Sequence, residues 1–245
     1  MIIKGLKINY KIIGEGKPLL ILHGWGSNSE KWQRVAELLA REGLKVIVPD
    51  LPGFGQSQEP KQVWGLDDYC NFVEELVKIL GLEKFSLLGH SFGGALALKL
   101  SLRITEKIEK LFLVSASFRR RKKFKKRFFW ALAKALKIFS FLPFYSYLKK
   151  GFYKFLLKSD YPSTKGVMRK SYLKIIKEDL SDILNKIKTP AIIIWGEKDD
   201  ITPLRHGRLL DEKIKESELI VLPAVGHNIR TEAPEKLTQI VSKFL

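Results

Sequence analysis

Phe85-Ser86-Leu87-Leu88-Gly89-His90-Ser91-Phe92-Gly93-Gly94 is the stretch that decides the fold. Its first half is a short apolar run of strand length, and the residues from Gly94 onward read as a helix. The serine between them has Gly-x-Ser-x-Gly spacing, which places it at the tip of a sharp strand-to-helix turn. A Cβ two positions before or after that serine would meet the returning backbone, so Gly89 and Gly93 suit the turn. Gly94 would let the following helix lie close to the sheet. A serine presented this way is a candidate nucleophile, and the competing reading is an ordinary helix N-cap.

Working outward, strand-like and helix-like segments alternate. Lys7 to Ile13, Leu19 to Leu22, Lys45 to Val48, Phe85 to Leu88, Ile108 to Ser115, Ala191 to Trp195 and Leu219 to Leu222 read as strands. Ser29 to Arg41 and Asp67 to Leu80 read as helices, the second from apolar side chains at Phe72, Leu76, Ile79 and Leu80. Such alternation implies an α/β domain with a mostly parallel sheet covered on both faces. With 245 residues, 45% of them hydrophobic, the chain is long enough for one such domain with an excursion.

The excursion falls at 117–186, inserted between core segments 1–116 and 187–245. No buried strand is evident there, and the sequence turns helical, aromatic and basic. It holds twenty Lys and Arg against four Asp and Glu, a balance of +16 within the chain's +18, so the remaining core is close to neutral. About half of the chain's aromatic residues lie between Phe118 and Tyr161. The segment reads as an inserted lid, with Phe128, Phe129, Phe139 and Phe144, together with Trp25, as candidate substrate-binding residues.

Further motifs fall around the serine. His23-Gly24-Trp25-Gly26 directly follows a strand, and its glycines permit a turn that aims an amide inward. The amides of Trp25 and Phe92 would then form an oxyanion hole; the alternative is a plain tight turn with His23 buried and hydrogen-bonded. Asp199, in the loop after an apolar strand, can orient a histidine, with Asp200 as its competitor and helix capping as the other use. Of the four histidines, His227 follows the last strand in Pro223-Ala224-Val225-Gly226-His227-Asn228 and completes the chain order Ser, Asp, His. His90 should point away from the reaction, and His206 falls on a helix beyond Asp199.

Taken together, His23-Gly24-Trp25-Gly26, Asp50-Leu51-Pro52-Gly53-Phe54-Gly55-Gln56-Ser57, Gly89 to Gly94, Gly196 to Pro203, and Gly226-His227 with Glu232-Ala233-Pro234-Glu235 resemble the α/β-hydrolase superfamily. The resemblance covers the chain outside the lid. It implies an eight-stranded, mostly parallel sheet flanked by helices, a lid after the sixth strand, and Ser91, Asp199 and His227 as a catalytic triad. The nearest likeness is to carboxylesterases of the pimeloyl-[acyl-carrier protein] methyl ester esterase type, from which the elbow departs at His90.

A serine rather than an aspartate at the elbow favours acyl transfer over dehalogenase or epoxide-hydrolase chemistry. The expectation is a serine carboxylesterase acting on carboxylic esters, with lactones or thioesters as variants. Cofactor-free perhydrolase or haloperoxidase chemistry on the same triad, or a non-enzymatic ligand receptor on the same fold, are the alternatives. The clusters Arg119-Arg120-Arg121-Lys122-Lys123 and Lys125-Lys126-Arg127 would suit an anionic lipid surface or an acidic acyl-carrier protein. No nucleic-acid fold accompanies them. Nothing in the spacing suggests a metal, dinucleotide or other cofactor. The single cysteine, Cys70, rules out an intrachain disulfide and reads as a buried small residue. Met1-Ile2-Ile3-Lys4-Gly5 opens without a signal pattern and no segment reads as a membrane span, so a cytoplasmic protein is expected.

Overall fold

Successive residues of the central strands serve opposite cores. In the computed structural model, which describes residues 1–119 and 165–245, Leu20 and Leu22 of one strand enter one apolar core while Leu19 and Ile21 enter the other. Leu111 and Leu113 against Phe112 and Val114 divide in the same way, as do Ile193 and Trp195 against Ile192 and Ile194. Both faces are therefore buried, which is why these strands read as continuous apolar runs rather than alternating ones.

The strands are β1 (Ile2–Ile3), β2 (Leu6–Lys7), β3 (Tyr10–Ile13), β4 (Lys17–Leu22), β5 (Leu44–Pro49), β6 (Phe85–His90), β7 (Ile108–Val114), β8 (Ala191–Gly196) and β9 (Ser217–Leu222). Among the described residues seven of them form the main sheet in the order β3-β5-β4-β6-β7-β8-β9. Of the described strands of this sheet only β3 runs antiparallel to its neighbour, so the sheet is mostly parallel, and β1 and β2 form a separate antiparallel ribbon. Among the described residues the helices are α1 (Gln33–Arg41), preceded by a 3-10 turn at Glu30–Trp32, then α2 (Leu66–Ile79), α3 (Phe92–Arg103), α4 (Gly166–Ile175), α5 (Arg205–Lys213), α6 (Ile229–Glu232) and α7 (Pro234–Lys243). Helices α2, α3 and α4 contribute to the core on one face of the sheet, and α1, α6 and α7 to the core on the other.

The α/β class and the mostly parallel sheet stand; among the described residues the main sheet has seven strands, where the resemblance implied eight. The single strand read over Lys7 to Ile13 is interrupted. Lys7 pairs with Ile2 in the ribbon, and the next residues are drawn to a distant loop: Asn9 N–H donates to Ser57 Oγ (3.0 Å) and Asn9 Nδ2 to Asp50 Oδ2 (2.9 Å). Among the described residues the strand that precedes the 117–186 segment is β7, the fifth of the main sheet in chain order. Its described ends pack into the main core, through Phe118 on one side and Met168, Ile175, Leu180 and Leu184 on the other.

Helix α2 buries Tyr69, Cys70, Phe72, Val73, Leu76 and Val77 along one face. Cys70 is fully enclosed there, and burial pushes its thiol up to about 12, so it is a packing residue. Asp67 and Asp68 occupy the first turn, where acidic side chains complement the helix dipole.

Candidate active site

The turn between β6 and α3 is built by sterics. A Cβ on Gly89 would lie 2.4 Å from the carbonyl oxygen of Gly93, and one on Gly93 would lie 2.0 Å from that of Leu22. At Gly94 it would meet the Ala116 side chain at 2.5 Å, so this glycine brings α3 against the strand end as the sequence suggested. Ser91 itself has φ 53° and ψ −112°, left-handed backbone that a non-glycine residue adopts at a cost of about 1–3 kcal/mol. The strain is held by hydrogen bonds on both sides: Ser91 N–H donates to Val114 O (3.0 Å), and Ser91 O accepts from Gly94 N–H and Ser117 N–H (both 2.9 Å). Its side chain makes no capping bond to α3, which removes the N-cap reading.

That side chain points to His227. Ser91 Oγ lies 3.0 Å from His227 Nε2, and His227 Nδ1 lies 2.8 Å from Asp199 Oδ2. Asp199 is buried, whereas Asp200, its competitor in the sequence, is exposed. The Asp199 loop is closed by its own carboxylate, whose Oδ1 accepts from Ile201 N–H (2.9 Å) and Thr202 N–H (2.8 Å). Thr202 Oγ1 adds a third donor at 2.8 Å from Oδ2. Burial alone would raise the Asp199 pKa. The hydrogen bond and charge of His227 and the Thr202 amide outweigh it and hold the group down at about 2.

Gly196 lets the acid loop and the histidine loop meet, since a Cβ there would lie 2.3 Å from Gly226 O. Lys198 N–H donates to Val225 O (2.8 Å), and Glu197 N–H to Leu222 O (3.0 Å). On the far side of His227, Glu232 takes Gly226 N–H at 2.6 Å and Asn228 N–H at 3.2 Å. Thr202 and Glu232 are positioning residues that the sequence reading did not assign. An Asp-x-x-Thr spacing, which suits a side chain bonding a backbone amide three residues on, was the available signal for Thr202.

The His23–Gly26 turn stands beside the serine: a Cβ on Gly24 would be 3.2 Å from Ser91 Cβ. His23 is buried and paired on both nitrogens. Its Nδ1–H donates to Gly24 O (2.8 Å), and its Nε2 accepts from Leu51 N–H (3.0 Å). Burial pushes its pKa down to about 4, so it is a neutral brace. Asp50 stitches the adjoining loop by accepting from Ser29 N–H (2.5 Å) and Gln56 N–H (2.9 Å). A Cβ on Gly55 would strike this carboxylate at 2.2 Å, which explains the glycine in the Asp50 to Ser57 motif.

Among the described residues, neither Trp25 N–H nor Phe92 N–H donates to a backbone carbonyl outside a helix or strand, and Phe92 begins α3, where an amide has no intrahelical acceptor. The Trp25 ring packs on Phe54 (4.8 Å), Phe92 (5.3 Å) and Tyr172 (5.2 Å), forming an aromatic wall beside the elbow. Phe128, Phe129, Phe139 and Phe144 lie outside the described residues. His206 sits on α5 with its ring against Phe118 (5.8 Å). Among the described residues no cluster of His, Cys, Asp and Glu could hold a metal ion, and no helix is long and apolar enough to cross a membrane.

Comparison with known proteins places the fold. A family model described as alpha/beta hydrolase fold matches residues 17–134. Lipase 3 of Moraxella sp. (strain TA144) is 28% identical over 244 residues, covering 89% of this chain and 74% of that protein. A solved esterase from Exiguobacterium antarcticum, EaEST, superposes with a TM-score of 0.77 at 27% identity, covering 98% of this chain and 96% of its own. AB hydrolase superfamily protein YisY of Bacillus subtilis (strain 168) is 30% identical over 252 residues, covering 95% of this chain and 92% of that protein. With identity sustained along nearly the full length of both proteins, the chain belongs to the α/β-hydrolase superfamily.

Proposed function

We propose that the protein is a serine carboxylesterase that cleaves carboxylic esters through an acyl-enzyme on Ser91. The observation that carries this reading is the unbroken row Ser91 Oγ, His227 Nε2, His227 Nδ1, Asp199 Oδ2, with links of 3.0 and 2.8 Å. A carboxylate accepts, so the His227 proton sits on Nδ1 and leaves the Nε2 lone pair facing the serine. His227 then removes the Ser91 proton as Oγ attacks the ester carbonyl. The amides of Trp25 and Phe92 hold the resulting oxyanion. His227 returns its proton to the leaving alcohol, then takes one from a water that attacks the acyl-enzyme and frees the acid. Asp199 stays ionised throughout, in keeping with a pKa held at about 2.

The esterase and lipase among the similar proteins support the ester class. In this reading the described aromatic wall of Trp25, Phe54, Phe92 and Tyr172 borders the acyl group, and the basic clusters of the 117–186 segment draw an anionic lipid surface or an acidic carrier. Hydrolysis of p-nitrophenyl esters from C2 to C16 by wild-type protein and Ser91→Ala tests it. Multiple turnovers that vanish in the variant support the reading. No turnover by folded wild-type protein on any chain length removes it.

A further inference from the structure

His90 is a buried histidine that ester hydrolysis, as described above, does not use; it is only 2% exposed. It is the last residue of β6, at the entry to the elbow, and its ring faces three other parts of the site. Its Nε2 lies 3.0 Å from the backbone carbonyl oxygen of His227, 137 residues away in the chain. A carbonyl only accepts, so Nε2 carries the hydrogen and donates it. The His90 and His227 rings are 5.0 Å apart. On another side lies the turn that bears Trp25, where a Cβ on Gly24 would be 3.0 Å from His90 Nδ1. On a third side Trp32 meets the ring edge-on at 5.8 Å.

With the hydrogen on Nε2, Nδ1 is a bare acceptor. It is buried, and so are three donors on adjoining elements, Trp32 Nε1, Arg230 Nε and Ser27 Oγ, all without a hydrogen-bond partner among the described residues. Arg230 lies over the Trp32 ring at 6.0 Å. Burial, and after it the charges of His227 and Arg230, push the His90 pKa down to about 3, so the ring stays neutral and keeps one tautomer.

We propose that His90 is a positioning residue: its Nε2–H holds the His227 carbonyl, and its ring spaces the Gly24 turn, so that general base and oxyanion-hole turn stand in register with Ser91. The proposal rests on the reading of Ser91 and His227 as nucleophile and base. It gives the elbow's second residue a task that a side chain of equal size without an N–H cannot perform.

The test compares His90→Phe, which keeps a ring and loses the donor, with His90→Gln, which keeps an N–H at similar reach. His90→Met replaces the phenylalanine variant if that one does not fold. Two readouts are taken: kcat and KM on a p-nitrophenyl ester, and the far-downfield proton resonance of His227 Nδ1–H bound to Asp199. We expect kcat to fall roughly 10- to 100-fold in the apolar variant, as displacements near 1 Å do, with KM within about twofold. The resonance should shift or broaden away, and His90→Gln should restore both. Wild-type kcat and resonance in a folded apolar variant would overturn the proposal, as would a folded His90→Gln no better than the apolar one. The resonance needs no substrate, so absence of wild-type turnover sinks the esterase reading alone while the positioning role is still decided.

Discussion

Replacing Asp199 by asparagine separates the charge of the acid from its shape. The carboxylate has two jobs: Oδ1 takes the amides of Ile201 and Thr202, and Oδ2 takes His227 Nδ1–H and the Thr202 hydroxyl. An asparagine that keeps its oxygen toward the two amides must turn its NH2 toward His227. Two donors then face each other, and His227 relieves the clash by moving its proton to Nε2, where it can no longer accept one from Ser91. The loss expected for a wrong tautomer is on the order of 10⁴ in kcat, with little change in KM. A second consequence concerns stability. The carboxylate's pKa is depressed from 3.8 to about 2 by folding, so its contribution is fully present above about pH 4 and disappears as pH falls through about 2. Allowing for screening, that contribution is about 1–2 kcal/mol near neutrality. Steady-state kinetics and urea unfolding of Asp199→Asn at pH 7 and near pH 2.5 read both. A kcat loss under about tenfold in a folded variant would refute the tautomer argument.

Gly93→Ala should misplace the elbow, because its Cβ would sit 2.0 Å from Leu22 O and 2.9 Å from His23 O. The first is more than about 1 Å short of a C···O contact of about 3.3 Å. A stability loss of about 1–3 kcal/mol, seen in thermal unfolding and accompanied by reduced kcat, is expected, and an unchanged variant would contradict the packing described. Thr202→Val removes the hydroxyl donor to Asp199 Oδ2 but keeps the amide, so it should cost about 1 kcal/mol and a smaller part of kcat than Asp199→Asn. Acid should destabilise the fold well above the carboxylate range. His23 and His90 are held neutral down to about 4 and about 3, so below the unfolded value of 6.5 only the unfolded chain takes up their protons. Stability should then fall by about 1.4 kcal/mol per pH unit per histidine, and urea midpoints equal at pH 7 and pH 5 would refute this.

The parts of the site legible in the sequence are those set by local sterics and spacing. Gly89, Gly93 and Gly94 follow from what a tight turn forbids, whatever the rest of the chain does, and the seven strands read from apolar runs match the seven main-sheet strands among the described residues. The eighth strand came from resemblance alone. The break at Ile8 and Asn9 depends on Asp50 and Ser57, more than forty positions away, and periodicity carries no trace of such partners. His227 was legible because only one histidine follows the last strand. His90 looked inert for a related reason: its hydrogen bond is to a backbone carbonyl 137 residues on, and any residue type supplies a carbonyl. Glu232 stood within a quoted motif without a role, because its use as an acceptor for Gly226 and Asn228 amides appears only once α6 turns it back on the loop.

The central claim is that Ser91 carries the acyl group, and acid-quenched turnover of a p-nitrophenyl ester followed by peptide mass analysis tests it directly. The account predicts a burst of p-nitrophenol close to one equivalent when deacylation is slowed, with the acyl mass on the peptide containing Ser91 and on no peptide of Ser91→Ala. Turnover with no acyl mass on that peptide under such conditions, or equal turnover by Ser91→Ala, would contradict it.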